Sequence, residues 1–181
     1  MTFTTDDLCL SYLKNFKYFD KIKEEVPEFK MIAFAIGNFN NDELLLESPV
    51  FKTWFEEHRD WVEIGVHSYD HEYPPDGDRD NEGSCIEKAI RSLMPFLGKD
   101  WIYRSPGWQT TNKTVPTLKK LGFKYIAYET KVNDIQEEKT VETQVFNSHL
   151  YDINSIRRIH EILQNQTPLH PRPRITISTK L

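Results

Sequence analysis

Strand-like and helix-like segments alternate along the whole chain, and this alternation restricts the folds available to it. Short runs of apolar and β-branched residues occur at 3–5, 30–36, 61–66, 101–103, 124–128, 143–147 and 174–178. Most of the segments between them carry apolar residues at helical spacing, at 10–23, 49–58, 86–94, 115–121 and 155–163. The pattern predicts an α/β fold with a largely parallel sheet.

The length favours a single domain. A chain of 181 residues can bury about 70% of the surface that it exposes when unfolded, so its core needs neither a metal ion nor a disulfide. The sequence contains no internal repeat, linker or low-complexity tract, and residues 1–181 are therefore predicted to form one domain. Cys9 and Cys85 are expected to be small buried hydrophobic residues.

Charge and hydropathy argue against two classes of partner. The formal net charge of −5 disfavours a nucleic-acid or anionic-membrane surface. The longest unbroken apolar run, Met31 to Ile36, has six residues, whereas a membrane-spanning helix needs roughly 18 or more. The first residues contain no secretory signal, so a cytoplasmic location is expected unless an export segment has been trimmed.

Two adjacent carboxylates, Asp6 and Asp7, follow the first predicted strand. The carboxyl ends of parallel strands are where such sheets collect their functional sites. Adjacent side chains point in different directions, so one carboxylate can bind a metal ion while the other accepts a proton. The alternative is that one of them caps the following helix.

Two histidines four residues apart, His67 and His71, come directly after the strand at 61–66. Neutral imidazoles are preferred nitrogen ligands of Zn²⁺. Combined with one carboxylate, the pair would make a three-ligand site that leaves coordination positions open for water, as catalysis requires. The alternative is a pair of surface histidines.

A third group, Tyr103 to Trp108, places Arg104 at the end of a strand and before a rigid turn. An arginine in this position is commonly solvated. Trp108 is a candidate for stacking on a sugar ring, with core packing as the alternative.

These three groups, in this order, resemble the motifs of the polysaccharide deacetylase (NodB-homology) family of metal-dependent carbohydrate esterases. The segment at 4–8 is similar to the first motif, Thr-Phe-Asp-Asp-Gly, and 63–71 closely matches the second, His-(Ser/Thr)-x-x-His. The segment at 103–108, with 118–125 behind it, is similar to the third. The resemblance covers most of the chain and implies a distorted (β/α) barrel with seven or fewer parallel strands.

The resemblance also implies an activity, namely hydrolysis of an N-acetyl or related acyl group on a carbohydrate, a C–N bond other than a peptide bond. Asp7, His67 and His71 would be the metal ligands, with zinc preferred and cobalt, nickel or iron as alternatives. Asp6 would be the general base for a metal-bound water, and Arg104 would hold and orient its carboxylate. The expected partner is a carbohydrate or sugar conjugate, and no oligomeric state is predicted.

The general acid of the family is a histidine in a Leu-His pair at the end of a strand. His149, within 147–150, lies at the corresponding position before the last predicted helix. His170 matches the dipeptide better, but it follows that helix among several prolines. We therefore assign the acid to His149, with His170 as the alternative, and assign Trp108 and Pro106 to sugar binding.

Several residues depart from the family pattern. Leu8 replaces the glycine of the first motif, and Gly107 stands where the third motif often has proline or tyrosine. The aspartate of the fourth motif, which normally supports the arginine, is unclear, and Glu129 and Asp134 are the candidates. These departures leave a catalytically silent carbohydrate-binding relative as one alternative function. A second is an Fe(II) oxygenase with two histidines and one carboxylate, although such chemistry has no need of Arg104 or of a second carboxylate.

Overall fold

A computed structural model describes residues 2–71 and 82–166. Its strands are β1 (Thr2–Leu8), β2 (Met31–Ala35), β3 (Asn38–Phe39), β4 (Glu43–Leu44), β5 (Val62–Val66), β6 (Ile102–Tyr103), β7 (Tyr125–Ala127), β8 (Val132–Asp134), β9 (Lys139–Glu142) and β10 (Val145–His149). Its helices are α1 (Leu10–Leu13), α2 (Lys17–Glu25), α3 (Pro49–His58), α4 (Glu82–Leu93), α5 (Thr114–Leu121) and α6 (Ile153–Gln166). The predicted strand at 174–178 lies outside the described residues.

One eight-stranded sheet organises the fold, in the order β10-β1-β2-β5-β6-β7-β8-β9. The first six strands of this order are mutually parallel, and β8 and β9 extend the sheet in antiparallel fashion. The largely parallel α/β sheet that the sequence predicts is therefore confirmed, with six parallel strands among the described residues.

The sheet curves back on itself. Its two end strands, β9 and β10, are joined by only Thr143 and Gln144, a connection that spans about 10 Å at most. A cavity of about 260 Å³ is lined by residues from β1, β2 and β5 through β9. Among the described strands β9 and β10 do not pair with each other, so the sheet forms an open, barrel-like cylinder.

Both faces of β2 are buried, which explains its unbroken apolar run. Met31, Ala33 and Ala35 belong to the large core between the sheet and the helices. Phe34, on the other face, packs with Ile102, Ala127 and Val132 in a smaller cluster inside the barrel. Alternation along the strand thus separates an outer core from the barrel interior.

Local side-chain and backbone features explain where the helices begin and end. The Ser48 side chain accepts a hydrogen bond from the Phe51 amide at 3.2 Å, and Pro49 occupies the first turn of α3. Gly122, at a φ of 90°, ends α5 in the left-handed region that favours glycine. Both cysteines are buried, as predicted. In the part of the chain that is described, no helix has the length and apolarity needed to cross a bilayer.

Two sequence-based expectations were wrong in detail. The helix expected at 10–23 is divided into α1 and α2 by a 3₁₀ turn over Lys14–Phe16, because the buried Phe16 must turn into the core. The segment at 86–94 belongs to a helix that starts four residues earlier and passes into another 3₁₀ turn, Met94–Phe96, at Pro95, which has no N–H to donate.

Candidate metal centre

The candidate site lies at the carboxyl edge of the parallel strands, where the backbone adopts unusual conformations. Asp7, Ser68, His71, Gly107 and Trp108 all have positive φ, between 56° and 73°. Non-glycine residues in this region are uncommon, and they cluster at functional sites where neighbouring structure holds them in place. The first of them coincides with a shift of the β1–β2 register between Thr5 and Leu8.

The structure brings Asp7, His67 and His71 together, with one potential ligand atom of each within 4.8 Å of the others. Asp7 Oδ1 lies 3.1 Å from His71 Nε2 and 3.6 Å from His67 Nε2. These residues come from the end of β1, the end of β5 and the turn that follows β5. Two imidazole nitrogens and one carboxylate oxygen converging from three directions form a donor set that suits a divalent ion.

The orientation of His67 favours metal binding. Its Nδ1 lies 2.8 Å from the Arg104 carbonyl oxygen, which can only accept a hydrogen bond, so the proton is on Nδ1. In the neutral ring Nε2 then has a free lone pair, and it faces Asp7. A hydrogen bond of this kind, from the second nitrogen of a ligating imidazole to a carbonyl, commonly fixes the tautomer in metal sites.

The charge states of Asp7 and the neighbouring histidines depend on one another. Burial raises the pKa of Asp7, but hydrogen bonds from His149, His67 and His71 outweigh burial and hold it far below its ordinary value. Burial lowers the pKa of His67, but the nearby Asp7 and Asp6 carboxylates raise it above its ordinary value. The buried Asp7 carboxylate is thus held in its ionised form by the imidazoles around it.

The second carboxylate, Asp6, faces a different set of partners. Its Oδ1 lies 2.7 Å from Arg104 Nη1, and both side chains are buried. Arg104 also donates to the Thr4 hydroxyl at 3.0 Å and to the Tyr128 carbonyl at 3.2 Å. Its guanidinium lies 4.2 Å from the centre of the Phe34 ring. The expected alternative of a solvated arginine is therefore wrong, because Arg104 is enclosed inside the barrel.

His149 lies on the other side of Asp7, with its Nδ1 3.2 Å from Asp7 Oδ2. This hydrogen bond raises the pKa of His149 above its ordinary value, although partial burial acts in the opposite direction. The His149 ring stacks on Tyr151, with centroids 5.2 Å apart, and lies 5.6 Å from Trp108. The alternative acid, His170, lies outside the described residues.

Comparisons with solved structures identify the fold. No family model and no curated protein matches the sequence. The Xyl-CE4 domain of a multidomain xylanase from the hindgut metagenome of Trinervitermes trinervoides is similar, with a TM-score of 0.61 at 18% identity over 91% of this chain and 82% of that one. The chitin deacetylase of Colletotrichum lindemuthianum gives 0.58 at 17% identity over 91% and 79%.

The chain has the polysaccharide deacetylase fold. The same fold includes proteins without activity, since a CE4 family pseudoenzyme from Bacillus anthracis gives a TM-score of 0.56 at 11% identity, over 91% of this chain and 59% of that one. At these identities the likeness concerns the fold, and the chemistry must be argued from the side chains of this chain.

Sequence reasoning missed one residue of the candidate site in this polysaccharide deacetylase fold. Asn147 donates from Nδ2 to Asp6 Oδ2 at 3.1 Å and accepts at Oδ1 from Arg104 Nη1 at 2.7 Å and from the Thr4 hydroxyl at 2.8 Å. It therefore joins the carboxylate to the guanidinium. Its position in β10, two residues before His149 and so on the same face of the strand, was the available signal.

Neither candidate for the fourth motif supports the arginine. Asp134 is buried, and its Oδ1 accepts hydrogen bonds from the Gln136 and Glu137 amides, which makes it a turn cap. Glu129 is exposed. Within the described part of the chain, the Arg104 guanidinium donates hydrogen bonds to Asp6, Thr4, Asn147 and the Tyr128 carbonyl.

The remaining departures have local explanations. Leu8 is fully buried, and its side chain packs in the main core, where a glycine would contribute no side chain. Gly107 has a φ of 59° within the 3₁₀ turn Pro106–Trp108, where its lack of a Cβ atom removes the strain. Pro106 is buried, and Trp108 is half-buried beside His149, outside the main core cluster.

Proposed function

We propose that this chain is a metal-dependent carbohydrate deacetylase that hydrolyses an N-acetyl or related acyl group on a sugar. The observation that carries the proposal is the convergence of two chemically distinct units on one edge of the barrel. One unit is the potential metal site of Asp7, His67 and His71, and the other is the buried pair of Asp6 and Arg104.

The three converging donors would hold one divalent ion, and we propose zinc. Such an ion, when bound, polarises an acyl oxygen and lowers the pKa of a coordinated water to about 7. Two neutral imidazoles and one carboxylate provide three ligands, which is the number found in catalytic rather than structural zinc sites.

The chain's own residues perform the proton transfers in this proposal. Asp6 accepts a proton from the attacking water, and Arg104 with Asn147 holds its carboxylate in one orientation through hydrogen bonds of 2.7 and 3.1 Å. His149 donates a proton to the departing amine nitrogen from a position beside the metal site, with its Nδ1 3.2 Å from Asp7 Oδ2. Each positioned proton transfer contributes about 10²–10⁴-fold to the rate.

Sugar binding is assigned to the aromatic side of the site. The half-buried Trp108 ring, 5.6 Å from His149, offers a flat apolar face to a sugar next to the acid. Pro106, at the start of the same turn, would fix the position of that ring.

The Asp6–Arg104 pair weighs against the Fe(II) oxygenase alternative. Burial of the Asp6–Arg104 ion pair costs desolvation energy. A hydrolase needs such a fixed base next to its metal ion, whereas an Fe(II) oxygenase has no use for it. A silent carbohydrate-binding relative remains the competing hypothesis, because the fold includes a pseudoenzyme.

The experiment that tests the proposal is acetate release from a panel of N-acetyl sugars, including nucleotide-linked and lipid-linked ones, by zinc-loaded protein. We expect release from at least one sugar, and loss of release in His67→Ala. His160→Ala is the matched control, because this histidine pairs with Glu25 on the helical surface. Glycan binding without acetate release would establish the silent relative instead.

A further inference from the structure

A short hairpin stands apart from the main sheet, beside the candidate metal site. Its strands, β3 and β4, pair with each other and with no other described strand. Asn40 and Asn41, in the turn between them, have φ angles of 52° and 59°, a left-handed conformation that asparagine adopts more readily than most residues. An isolated two-stranded hairpin is marginally stable in water, so contacts with the rest of the chain hold this one in place.

One side of the hairpin is bonded to the turn that carries His71. Three backbone amides, in the hairpin and directly before it, donate to the three successive carbonyls that precede His71. These hydrogen bonds run from Gly37 to Ser68, from Asn38 to Tyr69 and from Asn40 to Asp70. A fourth joins two side chains, because Asn38 Nδ2 donates to Tyr69 Oη at 3.2 Å. The hairpin therefore fixes the path of the backbone up to His71.

The other side of the hairpin is bonded to the segment that follows Asp7. Glu43 Oε2 accepts a hydrogen bond from the Ser11 amide at 2.9 Å, and the Ser11 hydroxyl also donates to this carboxylate. Ser11 lies in the first turn of α1, shortly after Asp7. One hairpin thus joins the two segments that carry Asp7 and His71, although these segments are far apart in the sequence.

The two ligands served by the hairpin are the ones whose backbone conformations are unusual. Asp7 has a φ of 64° and His71 a φ of 59°, and such conformations persist only where the surrounding structure enforces them. His67, by contrast, directly follows β5, and its amide donates to the Ala35 carbonyl at 2.8 Å within the main sheet. Release of the hairpin would therefore loosen Asp7 and His71 and leave His67 in place.

We infer that the β3–β4 hairpin is a clasp that holds Asp7 and His71 in position for a divalent ion before the ion arrives. Glu43 and Tyr69 are positioning residues of this clasp, and they act on the site through Ser11 and Asn38. The inference rests on the metal site of the proposed function, and it makes the affinity for the ion depend on a hairpin that contributes no ligand. Ligands that are already ordered bind more tightly, because binding does not have to order them.

The test is the dissociation constant for zinc, measured by competition with a chelating dye. Glu43→Ala removes the acceptor of both Ser11 hydrogen bonds and should weaken zinc binding about tenfold, as expected when a group that orients a metal ligand is lost. Glu43→Gln removes the same charge but keeps an accepting oxygen, so its affinity should stay within about threefold of the wild type. Equal losses in the two variants would show that Glu43 acts through its charge, and would overturn the clasp.

Two further variants control for charge and for the hydroxyl group. Glu47→Ala removes an exposed carboxylate from the turn that follows the hairpin and should leave zinc affinity unchanged. Tyr69→Phe removes the acceptor of the Asn38 side chain and should weaken zinc binding about threefold, whereas Tyr18→Phe on α2 should have no effect. A loss of affinity in Glu47→Ala as large as that in Glu43→Ala would contradict the clasp.

Hydrogen exchange of the zinc-free protein provides a readout that needs neither zinc nor activity. In Glu43→Ala the Gly37 and Asn38 amides should exchange at least about tenfold faster than in the wild type, because local opening becomes easier. The His67 amide, bonded within the main sheet, should keep its rate and so report an intact fold. Unchanged exchange at Gly37 and Asn38 would overturn the clasp.

The clasp and the proposed function can fail separately. If exchange and zinc affinity change as expected but no sugar releases acetate, the clasp stands and the deacetylase proposal fails. If acetate is released but Glu43→Ala binds zinc as tightly as the wild type, the clasp is wrong and the deacetylase proposal stands.

Discussion

Asp6 and Asp7 are neighbours in the chain but face different partners, because the backbone changes conformation between them. Asp6 remains in register with His149 of β10 and faces Arg104. Asp7 adopts a φ of 64° and faces the two histidines. One short segment can therefore place a carboxylate in each of two units only a few ångströms apart.

Substitution at these two positions should have separable effects. Asp6→Asn should retain the metal ion but lower kcat by about 10²–10⁴-fold, since the amide cannot accept the proton. Asp7→Ala should lose both the metal ion and hydrolysis. Metal content and acetate release, measured on the same samples, check this, with Asp100→Asn on the surface as the control. Full activity in Asp6→Asn would show that the base is another residue.

The proposed general acid, His149, is tested by a separate pair of substitutions. We expect His149→Ala to lower kcat by about 10²–10⁴-fold, because this imidazole lies 3.2 Å from Asp7 beside the site. His170→Ala should leave kcat unchanged. The pair of variants is assayed on one substrate at one pH, and the opposite outcome would transfer the role of acid to His170.

At the scale of elements, local patterns were predictable and long-range ones were not. The His67–His71 spacing and the Ser48-Pro49 helix start are readable from a few adjacent residues, and both appear in the structure. Asn147 was missed because its partner Asp6 is 141 residues away and asparagine has no distinctive spacing. Strands β8 and β9 were missed because their segment is polar. The three-residue strand β8 is stabilised by pairing with β7 rather than by an apolar run.

The contact between α2 and α3 predicts a pH-dependent stability. His58 Nε2 on α3 lies 2.9 Å from Asp20 Oδ1 on α2. Burial lowers the pKa of His58, but the hydrogen bond to Asp20 and one to the Trp54 carbonyl raise it above its ordinary value of 6.5. Because the folded protein binds this proton more tightly, the stabilisation is complete below pH 6.5 and disappears as the pH rises through the folded pKa.

Urea unfolding of wild type and Asp20→Asn checks this prediction. Asp20 is partly exposed, so we expect the variant to lose about 0.5–1 kcal/mol of unfolding free energy near pH 6. The loss should be smaller at a pH above the folded pKa of His58, where the ring is neutral. A difference that does not change between the two pH values would show that the pair is not ionised in the folded protein.

At the scale of the whole molecule, apolar side chains pack on both faces of the barrel-like sheet. The outer core and the interior cluster around Phe34 consist of hydrophobic residues and include none of the proposed metal ligands. The six parallel strands were predictable from alternating segments, whereas the curvature depends on how the two ends of the sheet meet, which no local pattern reports.

Removal of the proposed metal ion should therefore weaken the protein without unfolding it. After chelation we expect an unchanged circular dichroism spectrum and a cooperative thermal transition. Zinc at about 100 times its Kd should raise the free energy of unfolding by about 2.7 kcal/mol in the wild type, and it should leave Asp7→Ala unchanged. A chelated protein without cooperative unfolding would contradict a core that folds independently of the metal.

The most direct measurement of the central claim is the number of zinc ions retained per chain after dialysis, in the wild type and in a variant carrying Asp7→Ala, His67→Ala and His71→Ala together. The account predicts one ion per chain in the wild type and none in the variant, with both proteins folded. Equal zinc content in the two proteins, or a wild type that retains none, would contradict it.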